Sequence, residues 1–237
     1  MNAVRVPFGI LVLAGLLGGT SAAFAQSGQA LSKQNLDLPY DALSLAEDDE
    51  NAPEVVVFYG STYEGDGFFY ALDRSGSTQD SGELQREKQE VVRNIAEFTD
   101  RVEFGVAFYD KGLVKWPASG RPAQANSGQK GAATAWVMGT PGGGGSCVGL
   151  GIIACVDFAN LSSARRNVII WLGDGCTTCP GKDPTQYGNQ TLAEVTARNF
   201  KRHQINAIAV GPDSEVCPNF PKSRAAQNQG AYSRIPR

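Results

Sequence analysis

Three oxygen-bearing side chains follow an apolar run in the sequence FFYALDRSGSTQD, residues 68–80. Asp73 comes directly after the run, and Ser75 and Ser77 follow it at alternate positions, with Gly76 between them. Because glycine lets the backbone turn tightly, one carboxylate and two hydroxyls can face a common point. Such a segment is either a polar turn or part of a cation site, since hard oxygen ligands suit Mg²⁺, Mn²⁺ or Ca²⁺.

Two further oxygen ligands are candidates for the same site. Ser146 ends the glycine loop GTPGGGGS, and Asp174 follows the apolar run NVIIWLG. The five residues together offer two carboxylates and three hydroxyls, a set that favours Mg²⁺ over zinc or copper. Mg²⁺ takes six oxygens and usually keeps waters, so three hydroxyls and one carboxylate would leave room for a water and an outside ligand.

Apolar runs alternate with segments of helical spacing along the rest of the chain. Strands are predicted at 54–60, 68–72, 102–110, 167–172, 205–210 and 231–235, with an antiparallel edge strand at 112–116. Residues 61–67 are predicted to form a turn. Helices are predicted within 81–100, 128–139, 147–161, 191–204 and 220–228.

This alternation predicts an α/β fold with a doubly wound, mainly parallel central sheet, one antiparallel edge strand and helices on both faces. In such sheets, ligands bind beyond the carboxyl ends of the strands. Asp73 and Asp174 each follow a predicted strand, and Ser146 stands where a predicted helix begins. We therefore expect all three at the same edge of the sheet.

The segments ALDRSGS, GGGGSCVGLGI and NVIIWLGDG together resemble a von Willebrand factor type A (VWA) domain of the bacterial exported kind, which has a Rossmann-like sheet. The metal-ion-dependent adhesion site (MIDAS) of that family combines a DxSxS motif, a threonine in a glycine-rich loop and an aspartate after the fourth strand. The resemblance implies that a divalent cation is held by Asp73, Ser75, Ser77, Ser146 and Asp174. Ser146 replaces the family's threonine, and Thr140 is the competing candidate for that position.

In that family, a carboxylate from a partner protein commonly completes the metal coordination. The resemblance therefore implies an adhesion or scaffold module, and no enzyme, that captures an Asp or Glu of a protein partner through Mg²⁺ (or Mn²⁺ or Ca²⁺). His203 is expected near a helix C-terminus, where a cation is favoured. No serine in a strand-to-helix turn pairs with it for hydrolysis. A metal-free structural domain is an alternative.

The first 25 residues have the features of a secretory signal peptide: one early charge, an apolar stretch and a closing Ala-Phe-Ala. Residues 26–53 are predicted to be an acidic flexible linker, and residues 54–237 the VWA domain. The mature protein is expected to be periplasmic, secreted or on the cell surface.

No later segment reaches the roughly eighteen apolar residues of a membrane span. Residues 55–237 hold 17 of the 24 acids and 19 of the 21 bases, without the basic stripe of a nucleic-acid binder.

Five cysteines in an exported chain predict disulfides, with one cysteine left over. Cys147 and Cys155 are separated by about 12 Å if their helix is continuous, beyond the disulfide reach of about 7 Å, so Cys155 is expected to be a buried free thiol. The other cysteines are Cys176, Cys179 and Cys217, and Cys176 or Cys179 is expected to link to a neighbouring loop. The CTTC spacing also allows an alternative function, a periplasmic thiol-redox protein that uses Cys176 and Cys179.

Overall fold

The computed structural model describes residues 52–174, 178–210 and 220–235. The predicted signal peptide and nearly all of the linker lie outside the described residues, as do Cys176 and Cys217. The elements are β1 (Glu54–Phe58), β2 (Ser61–Gly65), β3 (Gly67–Asp73), α1 (Gly76–Asp80), α2 (Glu83–Glu97), β4 (Glu103–Tyr109), β5 (Leu113–Trp116), β6 (Ala123–Gln124), α3 (Ser127–Gly139), α4 (Val148–Leu161), β7 (Asn167–Gly173), α5 (Pro184–Arg198), β8 (Gln204–Val210), α6 (Phe220–Gln227) and β9 (Tyr232–Ile235). Within these ranges, the helices are too short or too polar to cross a membrane.

The central sheet has the strand order β5-β4-β3-β7-β8-β9, and β6 pairs with β4. Neighbouring strands from β4 to β9 along this order run parallel, whereas β5 and the two-residue β6 run antiparallel to β4. The predicted fold class is therefore confirmed: the sheet is mainly parallel and ends in an antiparallel edge strand.

Helices cover both faces of this sheet, which is why β3 and β7 are buried along their whole length. Side chains of a strand alternate between the two faces. In β3, Phe68, Tyr70 and Leu72 join the core on the side of α2 and α3. Phe69 and Ala71 join the core on the side of α4 and α5. The apolar run at 68–72 thus fixes β3 at the centre, and Asp73 at its carboxyl end.

The turn predicted at 61–67 is wrong, because Ser61–Gly65 forms β2 and pairs with β1 as an antiparallel hairpin. Tyr59 and Gly60 both have positive φ, 48° and 76°, which suits the tight turn of a two-residue hairpin. The hairpin is a separate two-stranded sheet that packs beside α2, where the Asn94 side chain donates to the Val57 carbonyl at 2.9 Å. Residues 54–58 therefore do not belong to the central sheet.

Helix α5 begins at Pro184, within the segment predicted to be a loop, and ends at Arg198. Asp183 caps it by accepting a hydrogen bond from the Gln186 backbone at 2.7 Å, and proline is favoured at the first helical position. His203 consequently lies beyond the helix, where its Nε2 is 3.2 Å from Asn160 Oδ1. Burial, and then the nearby Lys201, lower the pKa of His203. His203 does lie near the C-terminus of α5, since its backbone N–H donates to Oδ1 of the capping Asn199 at 2.8 Å, but the cationic form predicted there is disfavoured.

The close packing of α4 on β4 gives a test of the fold. A Cβ added at Gly151 would overlap the Tyr109 ring, whereas one added at the exposed Gly131 of α3 would meet no heavy atom within 4 Å. We expect Gly151→Ala to lower the free energy of unfolding by about 1–3 kcal/mol through overpacking. The control, Gly131→Ala, should raise it by about 0.5–1 kcal/mol because alanine favours helix. Urea unfolding measures both, and a neutral effect of Gly151→Ala would contradict this packing.

Candidate metal site at the carboxyl edge of the sheet

The structure brings all five predicted residues together. Strand β3 ends at Asp73, and β7 ends one residue before Asp174. The Ser146 hydroxyl donates to Asp73 Oδ2 at 3.0 Å, and the Ser77 hydroxyl donates to Asp174 Oδ2 at 3.0 Å. The hydroxyl oxygens of Ser75 and Ser77 are 3.1 Å apart. Serine hydroxyls therefore surround and connect the two carboxylates.

The DxSxS segment turns directly from β3 into α1. The Ser75 backbone N–H donates to Asp73 Oδ1 at 2.7 Å, which orients the carboxylate. The Thr78 hydroxyl lies 3.0 Å from the Asp73 carbonyl and 2.8 Å from the Ser75 carbonyl, to which it donates. Thr78 thus stabilises the turn through its hydrogen bonds to the backbone. The sequence did not predict this role, because no local pattern shows where the Thr78 hydroxyl points.

The glycine loop is attached to the DxSxS segment by two backbone hydrogen bonds. Gly143 N–H donates to the Arg74 carbonyl at 2.7 Å, and Gly76 N–H donates to the Gly144 carbonyl at 3.1 Å. Gly143 and Gly144 have φ values of 131° and 97°, which favour glycine over other residues. The run of glycines therefore lets the loop reach the end of β3 and place Ser146 against Asp73.

Thr140, the competing candidate for the loop hydroxyl, is engaged elsewhere. Its hydroxyl donates to the Trp136 carbonyl at 2.8 Å. Its own carbonyl, directly after the end of α3, accepts a hydrogen bond from Lys88 of α2. Ser146, by contrast, is buried and contacts Asp73 directly. The geometry therefore places Ser146 in the cluster and leaves Thr140 outside it.

A disulfide between Cys147 and Cys179 joins the glycine loop to the segment that follows Asp174. Next to it, Ser146 and Thr178 form an isolated antiparallel bridge. This agrees with the expectation that Cys179 links to a neighbouring loop. Among the described cysteines, Cys155 is the free one, and it is buried as expected. The covalent bond thus holds two of the loops that form the site.

Tyr109 fixes the end of β7 just before Asp174. The Trp171 indole N–H donates to the Tyr109 hydroxyl oxygen at 2.7 Å, and the Tyr109 hydroxyl donates to the Leu172 carbonyl at 2.9 Å. All of these groups are buried. Tyr109 therefore ties β4 across β3 to β7. The sequence gives no sign of this role, since Tyr109 reads simply as the apolar end of a strand.

Burial and then the Asp174 carboxylate raise the pKa of Asp73 to about 7, although hydrogen bonds from Ser75 and Ser146 act in the opposite direction. A divalent cation would neutralise this repulsion between two carboxylates. In residues 52–174, 178–210 and 220–235, no group of three or more His, Cys, Asp or Glu side chains is placed to hold a metal. A cation at this edge would therefore need the serine hydroxyls, and such oxygen donors fit Mg²⁺, Mn²⁺ or Ca²⁺.

A polar cleft of about 410 Å³ lies at the opposite end of the sheet, but its charged groups are paired. Glu103 accepts hydrogen bonds from the Ser162 hydroxyl at 2.6 Å and from the Ser163 backbone at 3.1 Å. Asp66 lies 3.7 Å from the Arg165 guanidinium. These contacts tie the α4–β7 connection to the amino ends of the strands, which is a structural role.

The sequence matches no protein-family model and no curated protein, whereas the fold matches solved structures. A von Willebrand factor type A protein from Catenulispora acidiphila aligns with a TM-score of 0.63 and 19% identity, over 75% of this chain and 40% of that one. The vWF domain of the type V pili tip protein Mfa5 from Porphyromonas gingivalis aligns with a TM-score of 0.56 and 10% identity, over 70% of this chain and 88% of that one. The pilus adhesin SpaC from Lactobacillus rhamnosus GG, in its open conformation, aligns with a TM-score of 0.54 and 12% identity, over 72% of this chain and 28% of that one.

Sheet order, helices and these matches define an α/β protein with a doubly wound sheet. The chain has the von Willebrand factor type A fold, as the sequence resemblance indicated. It spans less than half of the Catenulispora and SpaC chains and most of the isolated Mfa5 domain. At these identities the likeness concerns the fold alone.

Asp73 predicts how the stability of the metal-free domain changes with pH. Its pKa is about 7 in the folded state and 3.8 ordinarily, so the folded state binds more protons between these values. The contribution of Asp73 to the free energy of unfolding therefore falls as pH rises from about 4 to 7, by up to about 1.4 kcal/mol per pH unit. Urea unfolding in EDTA should show this slope in the wild type and a shallower slope in Asp73→Asn. Equal slopes would contradict the burial and repulsion described here.

The disulfide predicts a large loss of stability when both of its cysteines are removed. Cys147 and Cys179 are 32 residues apart, a loop for which closure entropy contributes about 3–4 kcal/mol. We expect the double Cys→Ala variant to lose about that much free energy of unfolding. Cys155→Ala, the control at a free thiol, should lose about 1 kcal/mol. A double variant no less stable than the control would show that the disulfide does not hold these loops.

Proposed function

We propose that this chain is an exported, non-enzymatic protein-binding module of the adhesion or scaffold kind, which captures an Asp or Glu carboxylate of a protein partner through a divalent cation. The ligands are Asp73, Ser75, Ser77, Ser146 and Asp174, and the ion is Mg²⁺ (or Mn²⁺ or Ca²⁺). The observation that carries the proposal is the pair of carboxylates linked by serine hydroxyls at the carboxyl edge of a VWA fold. When bound, the cation supplies an electrophilic position for an external carboxylate.

The burial of the ligands supports a direction of approach. Asp73, Ser75 and Ser146 are at most 3% exposed and form the inner wall of the cluster. Ser77 is exposed and Asp174 is partly exposed, so these two form its outer side. A partner carboxylate would therefore reach the cation from the side of Ser77 and Asp174, while the inner residues hold the ion.

Two of the structural relatives are pilus proteins, which is consistent with a surface role. SpaC is a pilus adhesin, and Mfa5 is a pili tip protein. Each aligns with this chain in fold. Together with the signal-like first 25 residues, this supports export to the periplasm or cell surface. The proposed partner is a protein, and the proposal involves no nucleic acid and no stable membrane insertion.

The disulfide argues against the thiol-redox alternative. Cys179 is bonded to Cys147, so it is not paired with Cys176 as a redox dithiol would require. The other alternative, a metal-free structural domain, predicts the same fold and differs only in its response to cations.

Cation-dependent stability separates the metal-binding function from the metal-free alternative. A ligand that binds only the folded state stabilises it by about 2.7 kcal/mol at a hundredfold excess over its Kd. We expect Mg²⁺ to raise the melting temperature of the wild type, and Ser146→Ala to reduce this shift. The matched control is Thr140→Ala, which removes a hydroxyl outside the cluster and should keep the full shift relative to its own metal-free state. Equal Mg²⁺-dependent shifts in melting temperature for both variants would show that Ser146 is not a ligand of the cation.

Partner capture can be tested with the same ion. The wild type should retain a protein from an extract of the source cell in Mg²⁺ and release it in EDTA, and Asp73→Ala should retain none while its circular dichroism stays native. Addition of free acetate or an aspartate-containing peptide should compete. Retention that is equal in Mg²⁺, in EDTA and in Asp73→Ala would contradict the proposed function.

A further inference from the structure

Four buried oxygen atoms between α2 and the β1–β2 hairpin lack a hydrogen-bond partner among the described residues. They are the Tyr59 hydroxyl, Oε1 of Glu83 and both carboxylate oxygens of Glu87. Glu87 is fully buried, and Glu83 is 1% exposed. Buried polar groups in native proteins are almost always satisfied, and an unpaired buried carboxylate is especially unfavourable. The cluster therefore indicates a missing partner.

The backbone brings these groups to one place. Glu83, Glu87 and Glu90 stand at positions i, i+4 and i+7 of α2, and so share one face of the helix. The hairpin turn lies over this face, with the Tyr59 backbone N–H 3.5 Å from Glu90 Oε2. Tyr59 is held in its positive-φ conformation at that turn. The cluster thus lies where this face of α2 meets the tight turn of the β1–β2 hairpin.

The electrostatics agree with this proximity. Burial, followed by the carboxylates of Glu87 and Glu83, raises the pKa of the Tyr59 hydroxyl. Burial, followed by Asp73 and Glu83, raises the pKa of Glu87 well above its usual range. The basic side chains of α2 bind other groups, namely Arg86 with Glu83 Oε2, Lys88 with the carbonyls of Met138 and Thr140, and Arg93 with Glu90. None of these basic side chains of α2 therefore pairs with Glu87.

We propose that Glu83, Glu87 and Tyr59 form an internal calcium site, separate from the edge site. Two carboxylates supply negative charge for a divalent cation, while Arg86 stays on the other oxygen of Glu83. Both oxygens of Glu87 are available, which suits the bidentate carboxylate that Ca²⁺ accepts, whereas Mg²⁺ demands stricter geometry and keeps more water. Oε1 of Glu83 and the Tyr59 hydroxyl oxygen supply further ligands, and waters complete the shell.

The site has a structural consequence that does not depend on the proposed function. It would join α2 to the hairpin, whose other contacts with this helix include the Asn94 side chain bound to the Val57 carbonyl. None of its three residues belongs to the edge site. The two proposals are therefore tested by substitutions at different residues.

Protonation of Glu87 is an alternative explanation for its buried, unpaired carboxyl group. The two explanations predict different effects of one substitution. Glu87→Gln mimics the protonated acid in shape and charge. If Glu87 carries a proton, this variant keeps the stability and ion content of its parent. If Glu87 holds Ca²⁺, the variant loses one ion and the stability that the ion provides.

The experiment uses the full mature chain with Asp73→Ala as the parent, so that the edge site is disabled. Each protein is unfolded in EDTA, refolded in Ca²⁺, freed of unbound ion by gel filtration and analysed for calcium. We expect about one Ca²⁺ per chain in the parent and none after Glu87→Gln. Glu90→Gln is the matched control on the same helix face, because Glu90 is paired with Arg93 at 2.6 Å, and it should keep the ion.

Tyr59→Phe and Glu83→Gln provide independent variants should Glu87→Gln fail to fold, and each should weaken Ca²⁺ binding at least tenfold. The calcium-dependent rise in melting temperature should follow the ion content across the series. The proposal is overturned if the parent retains no calcium, or if folded Glu87→Gln retains as much as the parent. Mg²⁺ binding that survives Asp73→Ala in a Glu87→Gln background would count against the edge site instead.

Discussion

The site depends on the repulsion between two carboxylates that the sheet brings to one edge. Asp73 ends β3, and Asp174 follows β7, the parallel neighbour of β3, so their separation is set by strand pairing and not by loops alone. Burial deprives Asp73 of water, which strengthens the repulsion and raises its pKa. A fold that maintains such an arrangement needs hydrogen-bond donors around both acids, and the serine hydroxyls supply them.

The surrounding contacts hold this arrangement in place from several directions. Thr78 braces the DxSxS turn, the glycine loop attaches to it through backbone hydrogen bonds, and Tyr109 fixes the end of β7. The Cys147–Cys179 bond then joins the loop of Ser146 to the segment after Asp174. The inner side of the cluster is buried and its outer side faces solvent, which is compatible with the proposed capture of an external carboxylate.

Much of this architecture could be predicted from local sequence patterns. The continuous apolar runs at 68–72 and 167–172 mark strands buried on both faces, and the residues after them mark the carboxyl edge of the sheet. The hairpin strand β2 could not be recognised, because STYEG is polar and its turn depends on positive φ at Tyr59. Glu83 and Glu87 read as solvent-exposed charges of an amphipathic helix, and only the tertiary structure buries them. Thr78 and Tyr109 were missed for the same reason, since their roles depend on partners distant in sequence or on the direction of one hydroxyl.

The central claim is that two carboxylates and three hydroxyls at the carboxyl edge hold one divalent cation that is open to an outside carboxylate. Anomalous diffraction from crystals grown in Mn²⁺ tests it most directly, because the signal locates the ion without reference to any partner. The account predicts a Mn²⁺ peak bounded by Asp73, Ser75, Ser77, Ser146 and Asp174, with a water or a carboxylate from a neighbouring molecule on the side of Ser77 and Asp174. An ordered cluster without an anomalous peak at saturating Mn²⁺ would contradict it.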